Sequence, residues 1–397
     1  MSPERTHLHS RKVIMAEYAD WNSVFKIGSH YICEDFLKRG FRVLWFQSYW
    51  NLLTPFVAWR GFRNLWKLWR LSPLKLREDM VGFAPFTFLP YRNFPLARGM
   101  LFGSNALRFA LPPLPWWLER NGWRTVDLLW ITSADLVTLP RMVDYSGLVY
   151  RITDNMVGFS HVPTGFLKLE EEILKRAHVV LATSRAVAQR ARMLNRNTHY
   201  IANAVDLASY QKAKSGPFLL GIPRPRIVYV GSLEYWVDYE LLYGTAKLRP
   251  EYNFVLVGPP PLKLSSQYGK LKEQGNIHLL GAISPSEIPS LLKSADAALI
   301  PFRLNSLTHN VSPLKLYEYL AAGLPVVSTP LEEVRACEAP VIFADSTHDF
   351  AKGLDNALAL GKNRSEFIDF ASENTWEKRL HQIEDILAAK GIQGFSG

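Results

Sequence analysis

At 397 residues the chain exceeds what one hydrophobic core fills, so two domains are expected, and hydrophobic and charged contents of 48% and 21% exclude a disordered chain. Two cysteines, Cys33 and Cys337, lie too far apart in sequence for a metal-binding pair and argue against a disulfide framework, which fits a reducing compartment. The net charge of +10 asks for an anionic partner, while no apolar run reaches the roughly 18 residues that span a bilayer and no secretory leader pattern is recognised at the start.

The first element in chain order is a buried strand, "KVIMAEY" (12–18), followed by a helix over about 27–39 and the strand "FRVLWFQS" (41–48). Between Arg60 and Arg77 stand Arg63, Lys67, Arg70 and Lys75 with no acid. Phe62, Leu65, Trp66 and Trp69 recur among them at helical spacing. A basic amphipathic helix carrying tryptophans suits a membrane interface, with Arg63, Trp66, Lys67 and Trp69 as its contacts. The other reading is a core-facing helix with a solvated basic back. A second tryptophan-rich patch follows, "PPLPWWLERNGW" (112–123), and residues 75–122 fit no regular pattern and read as an irregular insertion. No recognised nucleic-acid motif accompanies the charge, so nucleic acid is not an expected partner.

Strand-like "DLLWITS", "GLVYRIT", "HVVLATS" and "HYIANAV" come next, interleaved with helical stretches such as "GFLKLEEEILKRA". Residues 207–225 have no clear period and read as a linker. A second series then runs "RIVYVGS", "NFVLVGP", "IHLLGAI", "AALIPF", "PVVST" and "VIFAD", and "TWEKRLHQIEDILAAKG" closes the chain as an amphipathic helix. Strands alternating with helices imply parallel, doubly wound sheets whose ligand crevices lie at the strand carboxyl ends. The second series ends two strands in Gly231-Ser232 and Gly258, which suits close approach of a phosphate. Neither is a G-x-G-x-x-G or P-loop fingerprint.

In "SPLKLYEYLAAGLPVVST" (312–329) a helix starts near Pro313 and ends at Gly323 before a strand. Lys315 and Glu318 lie three apart on one side. A lysine at a helix start opposes the helix dipole, which makes sense if a diphosphate lies between them. A surface ion pair is the simpler reading of the same two residues.

This segment resembles the donor site of GT-B glycosyltransferases of the group 1, family 4-like type. The resemblance implies that Glu318 binds the nucleotide ribose and Lys315 the diphosphate, with Gly231, Ser232, Ala282, Ser312 and Leu314 completing the donor contacts. "IANAVD" (201–206) is similar to the segment that closes the N-terminal domain there, with Ala204 where those enzymes carry glycine. Retaining members place a second glutamate eight residues before the ribose-binding one; Asn310 stands there, which shifts the expectation to inversion. Short matches in "SHYICED", "YRITD", "VGSL" and "LKLYEY" resemble the membrane-associated inverting glucuronosyltransferases of xanthan assembly. They imply Asp154 as catalytic base, with His30 and Arg151 on the acceptor side. Taken as residues alone, Asp154 could be a helix cap, Arg151 a carboxylate partner, and His30 a packing residue.

The expectation is therefore an α/β fold of GT-B type, two Rossmann-like doubly wound domains facing a central cleft. An acceptor domain would span 1–206 and a nucleotide-sugar domain 226–371, with a helix over 372–397 returning to the first. The activity implied is metal-independent transfer of a hexosyl, possibly glucuronosyl, unit from a UDP-type donor to a lipid-linked or polysaccharide acceptor. It would take place in the cytoplasm, at the inner face of the cell membrane. No Asp-x-Asp motif stands in a suitable setting, so neither a metal nor another cofactor is expected. Two alternatives stay open: a retaining transferase, and a non-catalytic nucleotide-sugar-binding subunit of an envelope polysaccharide complex.

Overall fold

The computed structural model describes residues 11–23, 26–57, 59–88, 99–153, 162, 165–261 and 265–392. It divides into two compact units, one built from residues up to Ser23, Ile27–Ile201 and Leu380 onward, the other from Ala202–Arg379.

The first unit contains β1 (Lys12–Glu17), β2 (Arg42–Gln47), β3 (Leu74–Arg77), β4 (Met80–Phe83), β5 (Phe86–Thr87), β6 (Ala110–Leu111), β7 (Thr125–Ile131), β8 (Asp144–Ile152), β9 (Val179–Ala182) and β10 (Thr198–Tyr200). Eight of them form one sheet in the order β10-β9-β8-β7-β1-β2-β4-β3, parallel except for β3 against β4. Its central strands are largely apolar because both faces are covered, whereas β3 at the edge alternates apolar and basic residues. Successive side chains alternate between two cores: Ile14, Leu44 and Leu129 enter one, Val13, Val43 and Leu128 the other. The helix Gly28–Lys38 covers the second face, as do Ile383 and Leu387 near the chain's end.

Two expectations change here. Residues 75–122 are not an irregular insertion throughout: β4 pairs with β2 from Val43↔Met80 to Phe46↔Phe83 and extends the main sheet. Its strand signal is weak because Gly82 interrupts it. A Cβ there would lie 2.7 Å from Leu68 Cδ2, so glycine admits the helix above. That helix, Trp59–Arg70, stops before Lys75 and Arg77, which lie on β3. Its apolar stripe also packs inward for the most part, since Phe62, Leu65 and Trp69 meet a small core of Trp50, Leu68, Ala84 and Phe86.

The second unit contains β11 (Arg226–Val230), β12 (Asn253–Val257), β13 (Ile277–Gly281), β14 (Ala297–Ile300), β15 (Val326–Ser328) and β16 (Val341–Phe343). They form a fully parallel sheet in the order β13-β12-β11-β14-β15-β16. This is a doubly wound arrangement, and its strand order reverses between β11 and β14. The stretch 207–225 does not behave as a free linker. Leu207–Lys212 is helical, and Tyr210 and Leu219 are buried in this unit's core, so two apolar side chains tie it down. No helix among the described residues is long and apolar enough to cross a membrane.

Candidate functional site

The reversal point of the second sheet collects the predicted donor residues. β11 ends at Gly231, whose amide donates to the Val257 carbonyl at 2.8 Å, and the Gly258 amide donates to the Gly281 carbonyl at 2.7 Å. These bonds step the three strand ends together, and Ala282 follows at the exposed edge. Gly231 and Gly258 have φ of 148° and 153°, where only glycine is comfortable. A Cβ on Gly258 would lie 1.9 Å from the Gly231 carbonyl oxygen. A Cβ on Gly231 would lie 3.3 Å from Lys315 Nζ, so the missing side chain is what lets the lysine in.

Lys315 is carried by the helix Leu314–Ala321, with Pro313 as the residue that precedes it. No side chain caps the start of this helix, so its first amides point outward beside the lysine. Lys315 Nζ lies 4.7 Å from the centre of the Phe302 ring and 5.4 Å from that of Tyr229. Among the described residues no carboxylate comes within ion-pair distance of it, so the surface ion pair with Glu318 is not formed. Burial lowers Lys315 to about 8, opposed by the Glu318 charge. Holding that ammonium charged at pH 7 costs roughly 3 kcal/mol against water, a penalty that an arriving anion would offset.

Glu318 is pushed up from the usual carboxylate range by burial, opposed by Lys315 and by a hydrogen bond from Tyr210. Tyr319, one residue on, accepts the Val230 amide through its hydroxyl oxygen at 2.7 Å and so locks the helix to the end of β11. Ser312 is buried, and its carbonyl accepts from Asn203 Nδ2 at 2.8 Å. The "IANAVD" segment therefore touches the donor segment directly. Sequence reasoning missed Tyr210, Tyr319 and the role of Asn203; Tyr317 and Tyr319 on either side of Glu318 in an otherwise apolar helix are a faint signal. Gly323 ends the helix with φ 78°, and Asn310 donates to the Ser306 carbonyl at 2.6 Å.

In the first unit the strand order reverses between β1 and β7, and a second polar cluster lies there. Glu17 closes β1 with no exposed surface. Thr132 Oγ1 donates to Glu17 Oε2 at 2.8 Å, while Glu17 Oε1 lies buried without a hydrogen-bond partner among the described residues. Burial raises Glu17 to about 7 against the opposing hydrogen bonds and the Arg151 charge. Arg151, on β8, is also buried. His30 is held on both sides: Nδ1 accepts from the Ile27 amide at 3.2 Å and Nε2 donates to the Asp20 carbonyl at 3.2 Å. Its ring packs against both Trp21 and Trp45, which also contact each other. Asp154 lies outside the described residues. Glu17 was not foreseen, although an acid closing an otherwise apolar strand was visible in "KVIMAEY". Of the predicted membrane contacts, Arg63, Trp66 and Lys67 are exposed and Trp69 is half-buried.

Residues 218–374 match the family described as Glycosyl transferases group 1. The chain is 24% identical over 258 residues to Bacillus subtilis (strain 168) TuaH, described as a teichuronic acid biosynthesis glycosyltransferase. That match covers 60% of this chain and 64% of TuaH, so the chain spans under two thirds of the curated relative. Among solved structures, Anabaena HepE in complex with UDP and glucose superposes with a TM-score of 0.65 at 16% identity, over 96% of this chain and all of HepE. A structure from E. coli, described as trehalose-6-phosphate bound with UDP-2-fluoro glucose, gives 0.64 at 12% identity, over 94% of this chain and 98% of that one. The fold is therefore GT-B, with two Rossmann-like units.

Proposed function

We propose that the protein is an inverting glycosyltransferase that moves a hexosyl unit from a UDP-linked donor to a lipid-linked or polysaccharide acceptor. The observation that carries the donor half is the arrangement around Lys315. An ammonium with no carboxylate partner among the described residues, two glycines that clear its approach and an uncapped helix start converge where a doubly wound sheet gathers ligands. UDP in the HepE structures and the group 1 match over 218–374 support a UDP donor.

In the proposed step the acceptor oxygen attacks the anomeric carbon while Asp154 takes its proton. The bond from that carbon to the β-phosphate oxygen breaks, and the electron pair leaves with UDP. Lys315 and the Leu314 and Lys315 amides meet the developing charge. Glu318 accepts hydrogen bonds from the ribose hydroxyls. No divalent ion is needed, because the lysine and helix end supply the positive charge. Arg151 belongs to the acceptor side, with the buried Glu17 behind it, and His30 shapes it by fixing the start of its helix.

Transfer is read as occurring at the inner face of the cell membrane, with Arg63, Trp66, Lys67 and Trp69 as contacts. Asn310, in place of a second acid, favours inversion over retention. The test is direct. Lys315→Ala should weaken UDP binding at least about tenfold, the loss of one buried charge-assisted contact. Asp154→Asn should keep UDP binding and lose turnover, and the product should carry inverted anomeric configuration by NMR. Full turnover by Asp154→Asn, or a retained configuration, overturns the mechanism. UDP binding without transfer to any acceptor would favour a non-catalytic subunit.

A further inference from the structure

The two tryptophan-rich stretches of the first unit close on each other. Trp69 Nε1 donates to the Leu111 carbonyl at 2.6 Å. Beside that bond lies a pocket of about 420 Å³ whose lining includes Trp69, Arg70, Ser72, Trp116 and Arg120. The lining holds two guanidinium groups and no carboxylate. Among the described residues neither arginine is in an ion pair. Arg120 instead lies over the Trp116 ring at 5.1 Å, where the ring holds it in place without neutralising it. Ser72 Oγ is buried and has no hydrogen-bond partner among the described residues, which leaves a donor ready for an anion.

The surroundings decide what kind of anion. Trp66, Leu71, Phe109, Leu111 and Trp116 are all exposed, Trp116 by 52%. Such a grouping of large apolar side chains is unusual on a surface that meets only water. Tryptophan beside arginine suits the headgroup level of a bilayer, with the ring toward the acyl chains and the cation among the phosphates.

We propose that this pocket seats the phosphate of an anionic phospholipid, Arg70 and Arg120 binding it while Trp66, Leu71 and Trp116 enter the interface. The proposal gives the membrane contact proposed above a specific headgroup site, and it rests on that contact but not on the transfer chemistry. Arg63 and Lys67, exposed on the same helix, add attraction to an anionic surface.

The full chain is sedimented with vesicles of phosphatidylcholine, and with vesicles of phosphatidylcholine doped with phosphatidylglycerol. The doped vesicles should bind it far more strongly. Arg70→Glu with Arg120→Glu should weaken that binding by about tenfold or more. Lys270→Glu with Lys272→Glu, the same change of net charge placed in the second unit, should leave it within about twofold. Trp116→Ala should weaken it as well. Equal losses for the two charge pairs would reduce the effect to net charge and overturn the site. So would a tryptophan-fluorescence response to inorganic phosphate alone that matches the response to vesicles. Circular dichroism and thermal melts, measured on every variant, report folding, and UDP binding is measured alongside them. Vesicle binding that ignores Arg70 and Arg120 while UDP binds sinks this proposal alone; absent UDP binding sinks the transferase reading and leaves this one standing.

Discussion

Glu17 is a carboxyl group held where water does not reach it, with one oxygen bonded by Thr132 at 2.8 Å and Ser29 close by. Its ordinary value of 4.5 is raised to about 7 by burial. The folded state therefore holds the proton more tightly than the unfolded chain. The stability this contributes is fully present below about 4.5 and is lost as pH rises through about 7. Glu17→Gln keeps the shape and an acceptor for Thr132 while removing the charge. It should stabilise the protein by on the order of 3 kcal/mol at pH 8 and by almost nothing at pH 4. Denaturant midpoints at the two pH values check this, and a difference that does not change with pH would refute it. Lys315 is the opposite case, a half-buried cation whose charged form its surroundings disfavour. Its identity was legible in the sequence, because a lysine at a helix start is misplaced unless something negative arrives. The acid at Glu17 was not singled out, because one polar residue at the end of an apolar strand has no spacing partner.

The elements that shape the proposed donor site are turns more than helices. Gly258 and Gly269 show how different two glycines of one unit can be. At Gly258 a methyl group would meet the Gly231 carbonyl oxygen, and the backbone φ of 153° is itself unfavourable for any other residue. Gly269 lies inside the helix Ser266–Glu273, with nothing within 4 Å of a Cβ built on it. Gly258→Ala should therefore destabilise by about 3 kcal/mol or more and lower UDP affinity, since the shifted Gly231 carbonyl belongs to the same turn. Gly269→Ala should stabilise by about 0.5–1 kcal/mol, the ordinary glycine penalty in a helix interior. Thermal melts of the two variants should move in opposite directions; two shifts of the same sign would contradict the close approach. The same logic explains why β4 was hidden: Gly82 removes the strand signal at the place where a helix needs room.

At the scale of the whole molecule, each unit is a doubly wound sheet with one reversal point, and each reversal point carries buried ionisable groups. A ligand that binds only the folded second unit should stabilise it by mass action. UDP at a hundred times its dissociation constant is expected to add about 2.7 kcal/mol, and to raise the melting transition by about 5–10 °C for a unit of this size. Lys315→Ala, at the same UDP concentration, should cut that shift to about half or less, as a tenfold or greater loss of affinity requires. Equal shifts in variant and parent would remove Lys315 from the nucleotide site.

The sequence by itself determined the class of architecture, because short, largely apolar strands alternating with amphipathic helices have few other solutions than covered parallel sheets. It also marked out the segment proposed to bind the donor, since Lys315, Glu318 and the turn at Gly323 sit within a dozen residues and share one helix and its end. Only the tertiary structure decided what depends on distant residues meeting. Thr132 bonds Glu17 across two neighbouring strands, Tyr319 bonds Val230, and the Trp69–Leu111 contact joins stretches forty residues apart into a pocket. It also decided that the stripe at Phe62, Leu65 and Trp69 faces the protein's own core. Helical spacing establishes that a face is apolar, whereas what covers that face is settled by packing against residues the periodicity does not contain.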